Sequence, residues 1–248
     1  SIKIINEMYK FDKEHDHFID FTKLLPNGRS FFTSIASENL FQNEGDEIDD
    51  LDFIYEKNLA GVGEIVTFLI ENGVDPNTKD NDGFLPLEYA ILLNSSDFVH
   101  TLISSNKIDL SQKVQIKEDF FRLYENQYDN TLNFSDSKIT TYLHLAARSR
   151  NPDVFKEFID NKLIDVNSTD DMNETVLIVA CSYNRIKNVQ ILSQVDDLDY
   201  LHKNAEGKDA IEIISNSIDK EIEINEIKTK DEYFAALISM LNSTIHCD

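Results

Sequence analysis

His15 and His17 stand one residue apart near the start of the chain and could begin a metal site. A zinc site needs further ligands at defined spacing, and none follows, so the pair reads as surface histidines. Asp80-x-Asp82-Gly83 looks like the opening of a calcium loop. With Gly83 at loop position six, the first ligand falls on Thr78 and the bidentate carboxylate position on Tyr89, which excludes calcium. Asp80 and Asp82 then read as turn residues, with Gly83 supplying a positive φ. Gly61-x-Gly63 is no dinucleotide fingerprint, because Val66 holds the third glycine position. G-x-S-x-G, H-E-x-x-H, C-x-x-C and a phosphate-cradling glycine loop do not occur in the sequence. The feature that remains is charge. Eight carboxylates and no base lie between Glu38 and Glu56. Like charges repel at close range, so folding gains little from them, whereas a partner of opposite sign gains speed of capture. The expected chemistry is recognition, with no enzyme activity, no cofactor and no metal.

The elements that must carry such a surface show best in Thr141-Tyr142-Leu143-His144-Leu145-Ala146-Ala147. A Thr able to cap opens a short apolar helix, and two alanines allow a close neighbour. A polar turn, a second apolar stretch from Asp153 to Ile159 and an exit Ile164-Asp165-Val166-Asn167 follow. The unit resembles an ankyrin repeat, with its T-P-L-H-x-A-A signature and D-V-N-type exit; Tyr142 replaces the proline. One such unit cannot bury its apolar face alone, so copies must flank it. The position of Leu143 recurs at Leu177 and Ile211, in steps of 34. Upstream, Asp80 to Ala90 gives a further copy around Leu87, and Phe32 marks a weaker one. The steps from Phe32 to Leu87 and from Leu87 to Leu143 are 55 and 56, one repeat plus an insertion of about 22 residues each.

The resemblance implies an all-α ankyrin-repeat solenoid of about five helix-turn-helix units, with helical caps and two insertions. Residues 1–27 are expected to form an N-terminal helical cap. The stack spans 28–217, with insertions at about 38–57 and 112–138, and 218–248 closes it, chiefly through an amphipathic helix from Glu232 to Leu241. By the same resemblance Cys181 replaces the second signature alanine, as a small buried thiol. His144 is expected to hydrogen-bond between turns.

The chain has 248 residues, 46 acidic and 23 basic, for a net charge of −23. A nucleic-acid surface needs a basic footprint, and anionic lipid repels this chain. No stretch is long and apolar enough to span a bilayer. Two cysteines, Cys181 and Cys247, make no disulfide framework, which fits a reducing, cytoplasmic setting. Ankyrin stacks mostly bind proteins, so the expected partner is a protein, and a basic one by charge, with the unbound chain a monomer. The family's contact positions carry over to turn residues Asp82, Phe84, Lys138, Asp171, Met172, Glu174, Glu206 and Lys208, and to first-helix ends Leu93, Arg148, Ser149 and Tyr183. Charge adds Asp46, Glu47, Asp49, Asp50 and Asp52. The expected function is a bacterial immunity-type protein that neutralises a basic toxin. The alternative is a secreted effector of an intracellular bacterium that binds host proteins.

Overall fold

A computed structural model describes residues 7–8, 10–12, 14–15, 20–23, 25–26, 28–35, 62–81, 83–115, 139–217 and 229–244. The acidic insertion at 38–57 and most of the second insertion lie outside the described residues. The described chain is helical but for one short two-stranded sheet, and it divides into two compact units, Ser1–Asp109 and Leu110–Asp248.

In the first unit a helical stretch at 31–35 precedes α1 (Val62–Glu71), α2 (Pro86–Leu92) and α3 (Ser96–Ser104). Helix α3 packs on both α2 and α1. Proline opens α2, where its missing N–H costs nothing and its fixed φ suits the first turn. Ser95 caps α3 by accepting from the Phe98 amide. The apolar faces of α1 and the 31–35 stretch are covered from the N-terminal side. The Phe21 ring meets Phe31 at 5.0 Å and Phe68 at 5.1 Å, both edge-on. Phe21 is itself buried.

In the second unit β1 (Val114–Gln115) pairs antiparallel with β2 (Ile139–Thr140), Val114 opposite Thr140. Three helix pairs follow: α4 (Tyr142–Ala147) with α5 (Pro152–Asp160), α6 (Val176–Ser182) with α7 (Ile186–Ser193), and α8 (Ala210–Ser217) with α9 (Lys230–Thr244). First helices pack on first helices, α4 on α6 and α6 on α8. Second helices do the same, α5 on α7 and α7 on α9. The segment read from sequence as a closing cap therefore also serves as the second helix of the fifth repeat. Its start is fixed by a capping box: the Glu232 amide donates to Thr229 Oγ1 and the Thr229 amide to Glu232 Oε2. Asp209 and Glu212 do the same for α8.

The core of the second unit is built from apolar helix faces. Leu143, Leu145, Ala146, Ala147, Leu177, Val179, Ala180, Ile211, Phe155, Phe158 and Leu237 are all buried. Helices end in a shared way. Asn94, Asn106 and Asn184 adopt positive φ just past α2, α3 and α6, and Lys162 does so past α5. After α2 and α6 the amide that follows bonds back to Ala90 and Ala180, which satisfies the last carbonyls of the helix.

Candidate functional site

Three of the repeats are entered through a turn that presents side chains ahead of the first helix, and the same bonds build that turn each time. Asp80, Asp170 and Asn204 each accept through Oδ1 from the amide four residues on, at 2.9, 3.0 and 3.0 Å. Each also donates its own amide to the carbonyl of that residue: Phe84, Glu174 and Lys208. The residue at the tip has positive φ: Gly83, Asn173 and Gly207. Side-chain oxygen and backbone thus close a tight reversal that only Gly or Asn enters cheaply. In the first unit Asp80 also accepts the Tyr89 hydroxyl at 2.7 Å, which ties the turn to α2. In the second unit the turns are joined edge to edge. The Asp171 amide donates to the Ile139 carbonyl, the Ile139 amide to Asp171 Oδ2, and the Ala205 amide to the Met172 carbonyl.

The exits are also stitched by one device. Asn77 Nδ2 donates to the Lys107 carbonyl at 2.8 Å, and its Oδ1 accepts the Asp109 amide at 2.8 Å. Asn167 repeats both bonds 90 positions on, to Asp197 at 2.7 Å and Asp199 at 2.8 Å. Asp75 and Asp165 hold the two asparagines through their amides, each at 2.9 Å. Asn167→Ala is expected to cost about 1 kcal/mol, the net value of ordinary hydrogen bonds at a partly solvated site. Urea unfolding of the variant against the parent checks this, and an unchanged midpoint would show that water replaces the stitch.

His144 holds the joint between the first two helix pairs of the second unit. Its Nε2–H donates to the Glu174 carbonyl at 2.9 Å, and Nδ1 accepts from the Thr141 hydroxyl at 2.8 Å. Thr141 Oγ1 in turn accepts the His144 amide as the α4 cap. The imidazole is fully buried. Burial pushes its pKa down to about 4, against the pull of Asp170. Asn188, also buried, sends Nδ2 to the carbonyls of Ala147 and Ser149 at 3.0 and 3.1 Å. Arg185 Nε donates to the Arg148 carbonyl, and the Arg148 guanidinium lies 4.8 Å from the centre of the Tyr183 ring. Cys181 is a free buried thiol whose pKa burial raises, which makes it a core residue and no nucleophile.

These placements sort the candidate contact residues. Phe84, Leu93, Arg148, Ser149, Glu174 and Tyr183 are buried within the chain, and the bonds above engage several of them. Asp171 and Glu206 are exposed at the turn tips, with Met172 and Lys208 half-buried beside them. Lys208 pairs with Glu206 at 2.7 Å. Asp82, Lys138, Asp46, Glu47, Asp49, Asp50 and Asp52 lie outside the described residues. Asn77 and Asn167 belong to the exits legible in sequence, whereas the bonds of Asn173 and Asn188 to neighbouring repeats are not. The D-x-N spacing of the exits marks the first two, and nothing local marks Asn188.

Among the described residues no helix is long and apolar enough to cross a membrane, and no His, Cys, Asp and Glu cluster could hold a metal ion. No curated protein matches the chain. A family model described as ankyrin repeats (3 copies) matches residues 117–205. The match covers the first two helix pairs of the second unit and the start of the turn into the third. The turn built at Asp170 recurs in the first unit at Asp80, the exit built at Asn167 recurs there at Asn77, and the turn that opens at Asn204 closes on Lys208, just past the matched residues. Residues 117–205 carry ankyrin repeats, a helical protein–protein interaction module.

Proposed function

We propose that the chain is a non-enzymatic binding protein for a basic protein, and that it acts as a cytoplasmic immunity-type neutraliser of a toxin. The observation that carries the reading is the distribution of charge. The net charge is −23, and eight of the carboxylates fall between Glu38 and Glu56, between the two helices of one repeat. The repeat itself requires nothing there. A cluster of one sign raises the rate at which an oppositely charged protein is captured and repels wrong partners. The exposed tip at Asp171 adds an acidic group to the turn edge of the second unit, while Glu206 is paired with Lys208. In this reading the free chain is a monomer, and binding needs neither cofactor nor metal.

The test is kinetic. The partner is captured on the tagged full chain, identified and purified, and its association rate is measured against ionic strength. Replacing Asp46, Asp49, Asp50 and Asp52 with Asn and Glu47 with Gln is expected to slow association about tenfold or more at low salt and to flatten the salt dependence. Circular dichroism should stay unchanged. Equal rates and equal salt slopes for the two proteins would remove the acidic segment from the interface. A captured partner that is acidic, or whose activity survives saturation with the chain, would overturn the neutraliser reading.

A further inference from the structure

The residue at the third position of each first helix differs along the chain. It is Glu88 in α2, His144 in α4, Ile178 in α6 and Glu212 in α8. Glu88 and Glu212 bond back to the amides that start their own helices, Leu85 and Asp209. Ile178 is apolar and buried. His144 reaches 30 residues on, into the next repeat. We infer that the joint between the α4–α5 and α6–α7 pairs is an acid-sensitive latch, which opens when His144 takes up a proton, while the next joint along the stack stays shut.

The neutral ring satisfies both of its partners at once. A carbonyl can only accept, so Nε2 must carry the proton and Nδ1 must be bare to receive the Thr141 hydroxyl. A second proton on Nδ1 would turn the Thr141 hydroxyl from donor to acceptor, on an oxygen that already accepts the His144 amide. It would also put a charge in a site closed to water, where burying an unpaired ion is costly. The groups around the ring do not offset this. Asp170, on the turn before α6, favours the charged form, while Arg148 at the end of α4 and Lys113 beside β1 oppose it. Burial outweighs them all and holds the pKa at about 4. Glu174 contributes its carbonyl, which bonds the ring in the closed state.

The direction of the effect follows. The open joint exposes an ordinary imidazole with a pKa of about 6.5, so the open state binds more protons between pH 6.5 and pH 4. The joint is at full strength above pH 6.5 and weakens as pH falls through that window. Between pH 7.5 and pH 5 the opening equilibrium should rise about thirtyfold.

Amide hydrogen exchange on the full chain tests this, with protection factors corrected for the intrinsic pH dependence. In the parent, protection in α4 and in 174–182 should fall about thirtyfold from pH 7.5 to pH 5, while α8 and α9 change far less. His144→Gln keeps one donor and one acceptor but cannot charge, so its profile should be nearly flat over the same range. A uniform loss across the second unit, or the same acid loss in His144→Gln, would overturn the inference. Should that variant not fold, NMR titration of the His144 ring in the parent decides. An ordinary pKa near 6.5 with the helices still protected would overturn the latch, and a ring that stays neutral until the joint opens would support it.

Discussion

Leu143→Ala is expected to lower the unfolding free energy by about 2–5 kcal/mol, the range for emptying a tightly packed buried leucine site. Leu143 is fully buried on α4, and α4 is shared between two contacts, α5 within its own pair and α6 in the next. The cavity therefore loosens both. The neighbouring Leu145, Ala146 and Ala147 are buried too, and two alanines have little side chain with which to fill the gap. Chemical denaturation followed by circular dichroism measures the loss. A change below about 1 kcal/mol, the range of surface substitutions, would show that the helix face facing the core has been misassigned.

Asn188→Ala is expected to cost nearly as much, about 1–3 kcal/mol for each buried acceptor left without its donor. One amide group serves two carbonyls, those of Ala147 and Ser149, at the end of a helix in the preceding repeat. Those carbonyls have no helical N–H to meet, because α4 stops at Ala147. Asn188→Asp keeps the shape but sets a carboxylate against two carbonyl oxygens, so it should be worse than alanine. The order Asn, Ala, Asp in falling stability is the signature of a lost donor. Equal losses for the two variants would mean that packing, and no hydrogen bond, sets the effect.

What the sequence discloses and what it hides divide by reach. Thr141, Leu143, His144 and the alanine pair are legible because cap, apolar face and close approach are written within seven residues. Gly83 is legible because its turn is closed by Asp80, three residues away. Asn188 and Arg185 act 37 to 41 residues back along the chain, and such pairings have no local pattern. The asparagines that end helices at positive φ look in sequence like ordinary polar surface. The role of α9 was half legible: its apolar residues announced a helix, but not that it would pack on α7 and α8 as a repeat's second member. For the contact surface, family positions named turn tips and helix ends alike, yet Arg148, Ser149 and Tyr183 are drawn into the joint between repeats. The tips at Asp171 and Glu206 stay exposed because each stands one or two residues past an anchoring side chain, Asp170 or Asn204.

The central claim is that the second unit is a stack of helix pairs, each held by its own pairing and by its immediate neighbours. Hydrogen exchange at pH 7.5 in low concentrations of denaturant tests it most directly, because opening free energies can be assigned helix by helix. The account predicts that α4 and α5 lose protection together, as do α6 and α7, and that Leu143→Ala lowers protection in α6 and α7 more than in α8 and α9. Two helices of one pair opening with separate free energies, or α8 and α9 responding to Leu143→Ala more strongly than α6 and α7, would contradict it.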